Sequence, residues 1–188
     1  MPLAPLTPDD VTERLDFARV RRDDLLALNG GDLQHSDAHE RQQLLQEFFF
    51  HLLGAVDVLA QLVNERHALG HHAENVTIGY LQDKLSGDPL ETDLQALYAR
   101  TRRQPLPADP YSDDGYIFRA YNYRHLVTHR RKFPVLFRMG STPLVSFILD
   151  PREEPGQGPN HSVEPYDKEL DCMLDVVKRR VAGVLVAL

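Results

Sequence analysis

Apolar residues recur at helical intervals along most of this chain. Leu45, Phe48, Leu52, Val56, Leu59 and Val63 return every three or four positions, and Phe49, Leu53 and Ala60 widen their stripe. Much of the circumference over 48–63 is apolar, which marks the central helix of a core. Ser36 is its expected cap, and Gly70 its expected end. Gly54 costs about 1 kcal/mol of helix propensity against Ala, so a close approach of another helix is expected there.

The same periodicity defines the other elements. Thr7-Pro8-Asp9-Asp10 is a helix start: a cap, a proline at the first helical position, and two acids at the positive end. Val11, Leu15, Ala18, Leu25 and Leu28 follow, and Asn29-Gly30-Gly31 stops the helix. Two shorter helices are expected over 76–85 and 89–103, separated by Ser86-Gly87-Asp88-Pro89. Pro105, Pro107 and Pro110 mark a loop, after which a helix is predicted over 116–131, capped by Asp113 or Asp114 and ended by Pro134. Two short apolar runs, 135–138 and 144–149, flank Met139-Gly140-Ser141-Thr142-Pro143 and read as a β-hairpin. A Pro/Gly-rich loop over 151–165 precedes a last helix striped by Leu170, Met173, Leu174, Val177, Val181, Val184 and Leu185. The expected fold is all-α: an antiparallel bundle of five or six helices with a small β-hairpin appendage near 133–150. All 188 residues form a single domain in this reading.

Charge adds an asymmetry to that pattern. The chain carries a net −7, which excludes a general attraction to polyanions. Over 100–138, however, nine Arg or Lys face three Asp or Glu, a local +6 that leaves −13 on the remainder. Cys172 is the only cysteine, so no disulfide or cysteine-based zinc site forms within one chain. There is no signal-peptide pattern at Met1, and no apolar run approaches the roughly 20 residues of a membrane span. These features make a cytoplasmic location the expectation.

The candidate chemistry sits in YNYRHLVTHRRK, positions 121–132. On a helix His125 and His129 are one turn apart and share a face. Arg124 lies about 140° of arc from His129 and reaches the same cleft from the helix edge. A guanidinium that can grip phosphate in two places, beside imidazoles that exchange protons near neutral pH, suits phosphate chemistry. Arg130, Arg131 and Lys132 follow at once; with Arg119 they are the candidate RNA-binding cations. The same cluster also reads as a solvated helix end favoured by the dipole. Asp57 stands between Val56 and Val58 in the most apolar part of the chain. Either it pairs with a cation, for which Arg124 and His129 are the choices, or it faces water beside Gln61 and Asn64. His67 and His71, spaced i, i+4 on a helix, could meet a metal, but an exposed loop is the plainer reading.

The pattern Arg124-His125-x3-His129, with the long apolar helix over 48–64 before it, resembles the signature of the HEPN superfamily (higher eukaryotes and prokaryotes nucleotide-binding domain), over about 40–185. The resemblance implies a helical homodimer whose active members are metal-independent ribonucleases, with the arginine, its polar neighbour and the histidine lining a cleft between protomers. It assigns catalytic places to Arg124, His125 and His129, with Asp57 orienting Arg124, and implies no cofactor. The family often has Asn or Asp where this chain has His125. RNA is the implied partner, with an antitoxin protein as a further one and no membrane. Two other readings stand beside it. A fold of this kind also serves as a non-catalytic dimerisation or interaction module. And an early histidine with a later HxxxH pair resembles the DinB/YfiT-like four-helix family, in which His51, His125 and His129 would hold a divalent metal.

Overall fold

Helix α1, Pro8–Asn29, begins where the Thr-Pro-Asp-Asp signal places it. The Thr7 amide and hydroxyl both donate to Asp10 Oδ2 at 2.7 Å, so Asp10 reaches back across the first turn. Those bonds hold its carboxyl below the usual carboxylate range. The computed structural model describes residues 5–29, 37–72, 76–99, 104–128, 135–138, 144–147 and 164–188. After α1 come α2 (Asp37–Arg66), α3 (Ile78–Lys84), α4 (Leu90–Ala96), α5 (Asp113–Thr128) and α6 (Tyr166–Ala187). Strands β1 (Val135–Arg138) and β2 (Leu144–Phe147) pair antiparallel, Val135 opposite Phe147 and Arg138 opposite Leu144. The expected cap Ser36 and stop Gly30-Gly31, the tract 129–134, the turn 139–143 and most of the 151–165 loop lie outside the described residues.

The four long helices form a closed ring in which each packs against the next: α1 on α2, α2 on α5, α5 on α6, and α6 back on α1. Cross-helix pairs give the directions. Leu6 meets Glu65, Arg14 meets His51 and Arg21 meets Glu47, so α2 runs antiparallel to α1. Asp113 meets Arg179 while Arg119 meets Glu169, so α6 runs antiparallel to α5. Arg22 closes the ring through Asp171. The short α3 and α4 fill the connection from α2 to α5, and α4 leans on α6. Arg180 of α6 donates to the Ala96 carbonyl at the end of α4 and to Asp114 at 2.8 Å, satisfying an orphan helix-end acceptor.

Helix α2 is the centre, as its stripe predicts. Phe48, Leu52, Val56, Leu59 and Val63 are all buried, with Phe49, Leu53 and Ala60. Burying side chains of this size stabilises by about 1.5–3 kcal/mol each, which is why this segment organises the rest. The stretch His39–Arg66 is long and apolar enough, by length and composition only, to cross a membrane, and 56% of its most apolar window is buried inside the bundle.

Several local expectations change. Helix α2 ends at Arg66 rather than near Gly70; Ala68 follows with φ 50° and Gly70 with φ 71°. The break places His67 and His71 off any common helical face, and His71 instead packs edge-on against Tyr80 at 4.7 Å. Asn64 does not face water. Its side-chain amide donates to the His71 carbonyl at 3.0 Å and accepts from the His71 backbone amide at 3.2 Å, fastening the loop after α2. The cap of α5 is Ser112, whose Oγ accepts from the Gly115 amide at 3.1 Å, not Asp113 or Asp114. A Cβ on Gly115 would fall 2.4 Å from the Pro110 carbonyl oxygen, so the 109–112 turn packs this tightly only against glycine.

Gly54 is the other correction. Nothing of a neighbouring backbone approaches it; a Cβ there would meet only the Arg14 Cδ at 3.9 Å, ordinary contact. Gly54→Ala is therefore expected to stabilise the protein by about 1 kcal/mol through helix propensity alone. Urea unfolding followed by circular dichroism would show it as a higher midpoint at unchanged slope; a lower midpoint would mean that α1 and α2 do need the gap.

Candidate functional site

The motif helix and the central helix meet through one ion pair. Arg124, on the edge of α5, donates from Nη2 to Asp57 Oδ2 at 2.6 Å. Both side chains are partly open, Arg124 at 29% and Asp57 at 39% of their full exposure. Asp57 is thus a rim residue of α2 turned toward α5, not a carboxylate sealed in the apolar core. A carboxylate placed there is open to water as well as paired with a guanidinium, so its burial costs little.

Beneath the pair lies Tyr121, one turn before Arg124 on α5. Its hydroxyl donates to the Leu97 carbonyl at 3.2 Å, and its ring stands edge-on to Tyr98 at 5.9 Å. Burial and the neighbouring Asp57 carboxylate push its phenol up, against the opposing charge of Arg124. Tyr121 therefore stays a neutral hydrogen-bond donor to the Leu97 carbonyl throughout the physiological range.

Towards the end of α5 the surface opens into a groove of about 310 Å³ lined by Gln46, Glu47, Phe50, Arg124, Val127 and Thr128. Its walls are one face of α2 and the last described turn of α5. The Thr128 hydroxyl donates to the Arg124 carbonyl, closing that turn on itself. Arg124 is the cation among the described residues that line this groove, and Asp57 holds its guanidinium. His125 is exposed on α5. His129 is the next residue after Thr128 and lies outside the described residues, as do Arg130, Arg131 and Lys132.

On the far side of Phe50, His51 rests among α1 side chains. Its ring is 5.2 Å from Phe17 and 5.4 Å from Phe50, and its Nδ1 is 3.4 Å from Arg14 Nη1. Burial, then the charges of Arg14 and Arg21, lower its basicity despite Glu47 nearby. A neutral imidazole is what a metal would ask for. Yet its described partners are two aromatic rings and a guanidinium, and no group of three His, Cys, Asp or Glu able to hold a metal occurs among the described residues.

Arg119 must leave the set of RNA-binding cations. It is completely buried and donates from Nη1 to the equally buried Glu169 Oε2 at 2.7 Å. Tyr116 and Tyr111 cover its guanidinium, with ring centroids 4.8 and 5.3 Å from Cζ. It joins α5 to α6 inside the bundle and offers nothing to a ligand. Phe50 is a surface residue that the sequence pattern hides, because it stands in a run of three phenylalanines of which Phe48 and Phe49 are core; Phe50 is 54% exposed. The one available signal is its phase: it falls off the 45-48-52-56 stripe.

Comparison with protein-family models, with curated proteins and with solved structures finds no match. What the site does must therefore be argued from its own chemistry.

Proposed function

We propose that the protein is a HEPN-like, metal-independent ribonuclease acting on single-stranded RNA as a homodimer in the cytoplasm. The observation that carries this reading is the Asp57–Arg124 pair beside the groove. A guanidinium anchored from behind by a carboxylate presents its remaining N–H donors in a fixed direction, which is what holding a scissile phosphodiester requires. In this mechanism Arg124 binds the phosphate and stabilises the charge that develops on its oxygens. His129 takes the proton from a ribose 2′-hydroxyl, or gives one to the leaving oxygen. His125, exposed on the same helix, orients the substrate. Arg130, Arg131 and Lys132 hold flanking phosphates, and an antitoxin protein would silence the site by covering them.

Asp57→Asn tests the carrying observation. The change keeps the shape and a hydrogen bond but drops the charge that fixes Arg124. Misplacing a catalytic group by an ångström costs about 10²-fold in rate, so cleavage of a single-stranded RNA in excess EDTA should fall by up to that factor. A pair that merely ties α2 to α5 would lower the urea midpoint and leave turnover as it was. That outcome favours the second reading, a non-catalytic module in which the same groove only binds.

Assembly and metal content are checked on the same preparation. The motif helices are expected to face each other across a two-fold axis, giving a dimer at micromolar concentration by sedimentation. Salt should tighten it, because screening relieves the repulsion of paired cationic segments. Salt-induced dissociation would contradict that arrangement. One zinc or nickel per chain that is lost on His129→Ala would replace the nuclease reading by the metal-binding bundle.

A further inference from the structure

Phe50 is an apolar ring on α2, more than half exposed. The Arg14 Cζ lies over the ring, 5.8 Å from its centroid. Arg124 shares the groove that Phe50 lines. The ring is also braced edge-on by His51, which is itself backed by Phe17. Folding the ring away would break its contact with His51. The acids nearby are already engaged: Glu47 with Arg21 Nε at 3.3 Å and Asp57 with Arg124. Arg14 has no carboxylate partner among the described residues.

We propose that Phe50 is a stacking platform for one base of a single-stranded nucleic acid, on the ring face that Arg14 does not cover, with Arg14 and Arg124 holding neighbouring phosphates. The inference rests on the ribonuclease reading and deepens it, since it names what holds the strand in register over the groove. An exposed aromatic face with cations close by is an arrangement by which proteins bind single strands without reading sequence, because every base offers a π-face. A second copy of the chain fits the patch less well. Phe17 and Phe50 are 41% and 54% exposed, and at about 200 Å² per ring they offer about 190 Å² together, against about 800 Å² per partner in a stable dimer.

The protein contains no tryptophan, so Phe50→Trp introduces a single reporter at the platform itself. A short oligothymidylate serves as probe, because without a 2′-hydroxyl it cannot be cleaved by attack of that group. Binding should quench the emission of the introduced indole, and the variant should bind at least as tightly as the original protein. By fluorescence anisotropy of a labelled probe, Phe50→Ala should weaken binding about 5- to 150-fold, the loss of one stacked base. Arg14→Ala should weaken it more at low salt than at high salt.

Binding by the original protein that survives Phe50→Ala unchanged, with no quenching in Phe50→Trp, overturns the platform and leaves the nuclease reading standing. A failure of the original protein both to bind the probe and to cut RNA overturns both. Loss of a dimer in Phe50→Ala, seen by sedimentation, would assign the patch to a second copy instead.

Discussion

Arg124→Lys is expected to cut single-stranded RNA about 10²–10⁴-fold more slowly than the original protein, and His129→Ala to lose a similar factor. The arginine loss follows from geometry rather than charge. Asp57 occupies one edge of the guanidinium at 2.6 Å, leaving the remaining donors for a phosphate. A lysine has one ammonium centre, so it can satisfy Asp57 or the phosphate well, but not both in a planar fork. The histidine loss follows from its role. An unperturbed imidazole titrates at about pH 6.5 and can exchange protons in either direction near neutrality, and alanine can do neither. His125→Asn should keep most of the activity, since that position is asked only for a polar group. All three proteins should unfold at similar urea concentrations, because the Arg124 pair is partly solvated and worth about 0–1 kcal/mol. Cleavage that persists in both Arg124→Lys and His129→Ala would trace to a contaminating nuclease and remove the enzymatic proposal.

The second large effect is on stability and lies away from the groove. Arg119→Met should destabilise the fold by about 3–5 kcal/mol, since it takes the cation of this ion pair away from the Glu169 carboxylate in a site closed to solvent. Both members of the pair are completely buried, and the guanidinium also fills the space between Tyr111 and Tyr116. Changing both members, Arg119→Met with Glu169→Met, should recover most or all of that loss, because replacing a whole buried ion pair by apolar groups of similar volume is often neutral or better. Urea unfolding of the two single variants and the double variant completes the cycle. A cost below about 1 kcal/mol for Arg119→Met would mean that water reaches the pair, as it does for an exposed salt bridge.

These two arginines lie five residues apart on one helix and are not equally legible. Residue order narrows the partner of Asp57 to Arg124 or His129, because an acid inside an apolar stretch needs a cation and the richest cationic stretch is at 121–132, but it leaves open that Asp57 faces water. Arg119 gives no such signal. Its partner is fifty residues away in a helix whose polar positions all read as solvent-facing, so charge pattern alone places it on the RNA surface. Glu169 is hidden for the same reason: helical phase says which side of a helix a residue is on, not whether another helix covers that side.

What the amino-acid order determined by itself is the set of long helices and their buried stripes. A 3.6-residue period of large apolar groups can hide from water only on one helical face, and this is as true of 48–63 in α2 as of 170–184 in α6. It also determined the start of α1, where Thr7 and Asp10 satisfy each other within one turn. Tertiary structure decided the rest. It chose Ser112 over the two aspartates as the cap of α5, because the 109–112 turn delivers that hydroxyl to the Gly115 amide. It ended α2 at Arg66, because Asn64 bonds the backbone of His71 in preference to water. It left Phe50 in solvent with the Arg14 guanidinium over its ring, while sinking Phe48 and Phe49. Each of these depends on where a second segment lies, and pairing between distant segments is a property of the packed bundle that local order does not contain.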